Sequence, residues 1–353
     1  MPKNIVVFSD GTAKDGGHGG NTNVYKLFNM VEDRTEKQIA FYDRGLGTSW
    51  RRKFSGKFFG RGISNNILEC YEFIFDNYQS GDQVFLFGFS RGATTVRSLS
   101  SFIDLFGILP KSRPELIKEA YEIYATRNVR TQKDRADEFI GRNHTMRCPI
   151  KFLGVWDTVS ALGIPIKAID VVVDRLSIFR HSFHNLRLSD NVENGRHALA
   201  LDDERLTFHP TLWDKKLNEG QSVKQVWFCG MHSDVGGGYK KEETDLSDVP
   251  LTWMLAEAKE QGLLIYDNHK VEINPDPDGM IHNSTKGFPG VIYRRKQRTW
   301  ESSTHQKPTV HQSVLLRTKN KKNELEPHYS PWILEQEHDV EPWPQESRVS
   351  PWL

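Results

Sequence analysis

Ser90 stands between two glycines in Gly88-Phe89-Ser90-Arg91-Gly92, directly after the apolar run Val84-Phe85-Leu86-Phe87 and before Thr94 to Leu99, which read as the first turns of a helix. A buried strand, then a serine flanked by residues without a Cβ, then a helix is the order a nucleophile elbow requires. So sharp a turn holds the serine in an unfavourable backbone region and brings the chain close to itself where the glycines lie. In return its Oγ is exposed at the carboxyl end of a strand, where the N–H groups and positive dipole of the helix face any anion that forms. Glycine-flanked serines also occur in ordinary turns; the strand before and the helix after favour the elbow here.

A serine hydroxyl is a poor nucleophile at neutral pH and needs a base within hydrogen-bond reach, itself oriented by an acid. On a sheet of this kind the chain order is Ser, Asp or Glu, His. Asp157 and Asp234 compete as the acid, each ending an apolar strand. Asp234 is favoured because it lies on the later strand and because Gly236-Gly237-Gly238 leave room for a histidine loop. The base should follow, which leaves His269, His282, His305, His311, His328 and His338. His311 is favoured, since Val310 before it and the apolar run after it anchor its backbone; the alternative role for it is to cap a helix starting near Gln312. Asp157, Thr158 and His232 are then expected to line the substrate site. The oxyanion hole should combine the backbone N–H of Arg91 with one from the loop at Asp10 and Gly11. Asp10-Gly11-Thr12 also echoes phosphatases that use an aspartate nucleophile, but those need a second aspartate where this chain has Phe8.

The elements that must hold these residues alternate. Strands are expected at Ile5 to Phe8, Ile39 to Tyr42, the run before Ser90, from Ile150 to an end at Asp157, and from Val223 to an end at His232 and Asp234. Between them, Asn21-Thr22-Asn23 caps a helix through Val24, Leu27 and Met30; Ile63, Ile67, Tyr71 and Ile74 form the inner face of another, and Ser112 to Asn143 is charged and helical. A later helix runs from Leu246 with Ser247 as N-cap and Gly262 just past its end. Such alternation implies an α/β fold with a doubly wound, mostly parallel sheet. Residues 161–217 interrupt the rhythm and are expected to form a helical cap over the carboxyl ends of the strands, the edge at which substrate choice is usually made. Residues 1–320 then form one catalytic domain, and 321–353, with Trp332, Trp343 and Trp352 among prolines, a tail wrapping its surface.

Composition narrows the function classes. The 353 residues carry 47 Lys plus Arg against 46 Asp plus Glu, so no overall field attracts nucleic acid or an anionic membrane. The local candidate for peripheral membrane contact is Trp50 to Arg61, where basic and aromatic residues interleave, although a run this short also suits a surface loop. Cys70, Cys148 and Cys229 are widely spaced, with no disulfide framework or zinc pattern. The glycines from Gly16 to Gly20 are not followed by the Gly-Lys-Ser/Thr of a phosphate-binding loop. No signal peptide or transmembrane-length run is visible, so the expectation is a cytoplasmic protein, with export by a signal-independent route compatible. No metal or cofactor is called for, and oligomeric state leaves no trace.

With these residues in view, the chain resembles the α/β-hydrolase family that includes the catalytic domains of the first class of type VI secretion lipase effectors, long a domain of unknown function. The stretches that carry the resemblance are Phe8-Ser9-Asp10-Gly11-Thr12, Tyr42 to Thr48, Gly88 to Ala93, Gly154 to Val159, Ala200-Leu201-Asp202-Asp203-Glu204-Arg205, His232 to Tyr239 and His311 to Val314, in the family's order. The resemblance implies a serine hydrolase acting on phospholipid or other carboxylic esters, most simply a phospholipase A or lysophospholipase, with Ser90 as nucleophile, Asp234 as acid and His311 as base. A short-chain carboxylesterase is the neighbouring alternative. An inert binding module is the alternative from another class, disfavoured because a binder has no use for a strained serine.

Overall fold

The computed structural model describes residues 2–11, 20–45, 59–126, 128–159, 188–213, 217–283, 295–300, 307–319 and 328–344. Among them is an eight-stranded sheet in the order β2-β1-β3-β4-β5-β6-β7-β8. Its strands are β1 (Asn4–Ser9), β2 (Gln38–Asp43), β3 (Gln83–Phe89), β4 (Ile150–Trp156), β5 (Val192–Ala200), β6 (Ser222–Phe228), β7 (Thr309–His311) and β8 (Asp339–Glu341), each parallel to its neighbours.

The apolar runs are continuous because both faces of the sheet are covered. Successive side chains point to opposite faces, so Ile5 and Val7 of β1, with Val84 and Leu86 of β3, face one layer, while Val6, Phe8, Phe85 and Phe87 face the other. The first layer holds α2 (Phe59–Asn77), α3 (Arg91–Phe106), α4 (Leu116–Tyr124) and α5 (Val129–Asn143), which bury Ile67, Tyr71, Ile74, Leu99, Phe102 and Phe139. The second holds α1 (Asn23–Phe28) and α7 (Asp245–Glu260), which bury Val24, Leu27, Trp253 and Met254. Two shorter helices, α6 (His232–Gly236) and α8 (Gln312–Lys319), follow β6 and β7.

The chain steps from β1 outward to β2, then crosses back to β3 on the other side of β1. That reversal leaves a crevice between the carboxyl ends of β1 and β3, the position at which open α/β sheets bind their ligands. Gly11 follows one of these strands and Ser90 the other.

The fold is the α/β, doubly wound parallel sheet that the alternation predicts, with two departures. Residues 192–200, inside the expected cap, form β5 in the middle of the sheet. The segment Val192-Glu193-Asn194-Gly195-Arg196-His197 looks too polar for a buried strand, but each of its polar side chains has a partner: Arg196 pairs with the buried Glu257, Glu193 with Lys151, Asn194 Nδ2 donates to Lys151 O at 3.0 Å, and His197 Nε2 accepts from Thr158 N. In the expected tail, residues 339–341 form β8 and extend the sheet beyond β7, while Trp332 packs edge-on against Trp227. Residues 161–187 and 214–216 of the expected cap and 50–58 of the basic aromatic run lie outside the described residues. Helix α7 starts within one residue of the expected Leu246, but Ser247 Oγ donates to Thr244 O instead of capping it. No helix among the described residues is long and apolar enough to cross a membrane.

Candidate active site

Ser90 terminates β3 and precedes α3 with φ 57° and ψ −118°, a conformation L-residues avoid. The flanking glycines make it attainable. A Cβ on Gly92 would lie 2.0 Å from Ser9 O, and one on Gly88 would lie 2.5 Å from Gly92 O, so only glycines let β1, β3 and the start of α3 approach this closely. Ser90 N donates to Trp156 O at 3.2 Å, which ties the turn to the end of β4. Arg91 is the first residue of a sixteen-residue helix, and its N–H has no partner within the helix.

The Ser90 hydroxyl lies 2.9 Å from Nε2 of His232, whose Nδ1 lies 2.6 Å from Oδ2 of Asp157. With Asp157 ionised, Nδ1 carries the ring proton and donates it, leaving Nε2 to accept from Ser90. The sequence-level expectation of Asp234 and His311 is therefore corrected. Asp157 and His232, expected only to line the site, are the carboxylate and imidazole that the fold brings to Ser90, still in the chain order Ser, Asp, His.

His311 is carried away from Ser90 by topology. It ends β7, four strand positions from β3, a lateral separation of roughly 19 Å at ~4.8 Å per strand. It is buried, stacks on Phe228 at 4.7 Å, and its Nδ1 accepts from Ser313 N at 3.2 Å, capping the start of α8. Burial pushes its pKa down to about 3, which unfits it to receive a proton at neutral pH. Asp234 has another histidine: it accepts from His282 Nδ1 at 2.6 Å and from Met231 N at 2.9 Å, bracing α6. Burial raises its pKa above the ordinary carboxylate range.

His232 also follows a distant strand, β6, but α6 folds back against the end of β5 and returns the ring towards β3. The stretch between β5 and the loop after it fixes this return. Asp202 Oδ2 accepts from Gly230 N at 2.6 Å, Asp203 Oδ2 from His232 N at 3.2 Å, and Ala200 N donates to Asp157 Oδ1 at 3.1 Å. The imidazole lies between aromatic rings, Phe89 at 4.6 Å and Phe208 at 5.0 Å edge-on, so its tilt is restricted.

Asp157 is fully buried with φ 37°. Burial alone would raise its pKa, but the Arg298 guanidinium and the hydrogen-bonded His232 together outweigh that and carry the carboxyl well below the usual range. Arg298 Nη1 donates to Oδ1 at 2.7 Å and Nη2 to Oδ2 at 2.9 Å. Neither Arg298 nor Asp203 was singled out from the residue types. Asp203 lies in one of the stretches that carry the resemblance, whereas Arg298 is one of several basic residues in a polar segment and leaves no signal.

The remaining expected site residues divide. Thr158 is buried, and its N–H donates to His197 Nε2 at 3.1 Å, so it supports the site from behind rather than lining it. Gly11 lies against Ser90, but its N–H donates to its neighbour Asp10 Oδ1 at 2.7 Å and is not free for an oxyanion. Asp10 acts through its side chain, accepting also from Thr22 Oγ1 and, at 2.7 Å, from Tyr42 Oη.

Burial raises Asp10 from 3.8 to about 6 despite these hydrogen bonds. Between those values the folded chain holds the proton more tightly than the unfolded one, so this group's stabilisation is full below pH 4 and declines as pH rises through 6. In denaturant unfolding from pH 4 to 7, wild type should lose about 2–3 kcal/mol relative to Asp10→Asn, at ~1.4 kcal/mol per pKa unit. Parallel curves for the two proteins would show that Asp10 titrates alike folded and unfolded.

The family described as T6SS, Phospholipase effector Tle1-like, catalytic domain matches residues 3–257. The Saccharomyces cerevisiae protein named Uncharacterized protein YEL023C is 30% identical over 232 residues, covering 58% of this chain and 32% of its own length. The chain thus spans about a third of that curated relative. Similar solved structures include an uncharacterized protein from Pseudomonas aeruginosa, with TM-score 0.48 and 16% identity over 79% of this chain and 49% of that one. Another is the Tle1 effector bound to the VgrG spike from the Type 6 secretion system, with TM-score 0.46 and 15% identity over 77% and 76%. A metagenomic carboxyl esterase, MGS0156, has TM-score 0.35 and 10% identity over 74% and 76%.

Proposed function

The chain belongs to the Tle1-like catalytic-domain family of type VI secretion phospholipase effectors, and from that premise we propose that it hydrolyses carboxylic esters by acyl transfer through Ser90, His232 and Asp157. Family membership supports ester hydrolysis in general. The observation that carries the finer reading is the continuous hydrogen-bonded chain from Ser90 Oγ through His232 to the buried Asp157, at 2.9 and 2.6 Å.

As Ser90 Oγ attacks the acyl carbonyl, His232 Nε2 takes its proton and the carbonyl electrons move onto oxygen. The Arg91 N–H and the amino end of α3 stabilise that oxyanion, a contribution worth about 3 kcal/mol for a single well-aimed donor. Collapse of the tetrahedral species breaks the bond to the alcohol oxygen, which leaves with the proton from His232. Water then attacks the acyl-Ser90 ester, losing a proton to His232; the bond to Ser90 Oγ breaks, Oγ takes that proton back from His232, and the carboxylic acid departs. Asp157 stays ionised throughout and holds the imidazole in the tautomer that presents Nε2 to Ser90.

A phospholipid, cleaved as a phospholipase A or lysophospholipase would cleave it, is the substrate class we assign. The test is a panel running from p-nitrophenyl acetate through long-chain esters to phosphatidylglycerol and phosphatidylethanolamine vesicles, with Ser90→Ala in parallel. Fatty acid released from vesicles by wild type alone supports the phospholipase. Activity confined to short esters makes the chain a carboxylesterase, and no turnover together with no fluorophosphonate labelling of Ser90 removes the catalytic reading.

A further inference from the structure

We propose that Arg298 is a positioning residue of the active site, gripping both oxygens of Asp157 so that the carboxylate can face His232 in one orientation only; this rests on the Ser90, His232 and Asp157 reading. Left to itself, a carboxylate turns about its terminal bond and presents either oxygen, and the torsion is broad. The planar guanidinium removes that freedom, because its two nitrogens meet Oδ1 and Oδ2 at 2.7 and 2.9 Å in a two-pronged pair. Ala200 N takes up more of Oδ1, which leaves Oδ2 to accept from His232.

Arg298 is itself held. Nη1 donates to Ala200 O and Nη2 to Phe208 O, both at 2.6 Å, and the residue is 1% exposed. Its segment is pinned by Lys296 N to Glu204 O at 2.8 Å and by a bridge between Arg295 and Arg205. Among the described residues, the other charged or titratable groups facing this pair include Asp202, Asp203, which Arg205 neutralises, His197 and His232. Arg298 cancels the carboxylate's charge, so it adds nothing to the attraction of Asp157 for an imidazolium. What it contributes is geometry. Arg298 also lies beyond the family match, which ends at residue 257, so the site is completed by a part of the chain that the match does not reach.

The experiment measures kcat and KM for p-nitrophenyl butyrate, the rate of Ser90 labelling by a fluorophosphonate, and thermal unfolding, in the full chain. The variants are Arg298→Lys, Arg298→Met, Asp157→Asn and the double variant Asp157→Asn/Arg298→Met. A lysine keeps the charge but cannot fork, so Arg298→Lys should lose about tenfold or more in kcat with KM within about twofold. Because Arg298 acts through the carboxylate, the double variant should label and turn over within about threefold of Asp157→Asn. Wild-type kcat in Arg298→Lys, or a further tenfold loss in the double variant, would overturn the proposal. Should Arg298→Met fail to fold, the lysine variant and the double variant, which buries neither charge, decide alone. Wild-type turnover in Asp157→Asn would instead remove the triad itself.

Discussion

His232→Ala is expected to lower kcat/KM for any accepted ester by about 10⁴-fold or more, while His311→Phe keeps turnover within a few-fold of wild type. The first removes the group that lies 2.9 Å from Ser90 Oγ, and the loss of a triad base falls in this range. The second replaces a buried ring that stacks on Phe228 and lies tilted against Trp343 by another flat ring, at the cost of the bond from Ser313 N, about 1 kcal/mol of stability. Steady-state kinetics on the two variants, with thermal unfolding to verify the fold, tests both halves. Full activity in His232→Ala together with collapse in His311→Phe would restore the assignment suggested by residue order alone.

Asp157→Ala is expected to cost about 3–5 kcal/mol of stability besides most of the activity. The reason lies in what remains: Arg298, 1% exposed, loses the carboxylate that balances it, and removing one member of a buried ion pair leaves an uncompensated charge. Denaturant unfolding of Asp157→Ala measures this. Asp157→Ala/Arg298→Met should recover part of the loss without recovering turnover, because burying two apolar side chains is far cheaper than burying one bare guanidinium. A stability change under 1 kcal/mol in Asp157→Ala would mean that water reaches Arg298. Asp234→Ala should behave differently, since its partner His282 is partly exposed and can be solvated, and turnover should persist.

Why residue order misled is instructive at the level of single residues. Asp157 and Asp234 each end an apolar strand, and His232 and His311 each stand at such an end as well. Nothing in spacing distinguishes them. The glycines after Asp234 suggest space for a neighbouring loop, but Gly236 admits the Phe89 ring and Gly237 the chain at Asn21 to Asn23, rather than a catalytic histidine. His232 was discounted because it precedes Asp234, a ground that disappears once Asp157 is the acid. Val192–Ala200 was hidden for another reason: a strand whose polar side chains are individually paired carries no apolar signature.

Local chemistry is what the sequence determined by itself. Gly88, Ser90 and Gly92 specify the turn, since sterics at the elbow act within a few residues, and apolar runs alternating with amphipathic helices specify a sheet covered on both faces. Tertiary structure decided which strand ends meet. The order of strands sets lateral distance, so β4 beside β3 delivers Asp157, α6 turning back over β5 delivers His232, and β7 at the far side withholds His311. Arg298 could be found no other way, because its role depends on a buried contact with a carboxylate far away in the chain, and an ion pair leaves no periodicity to read.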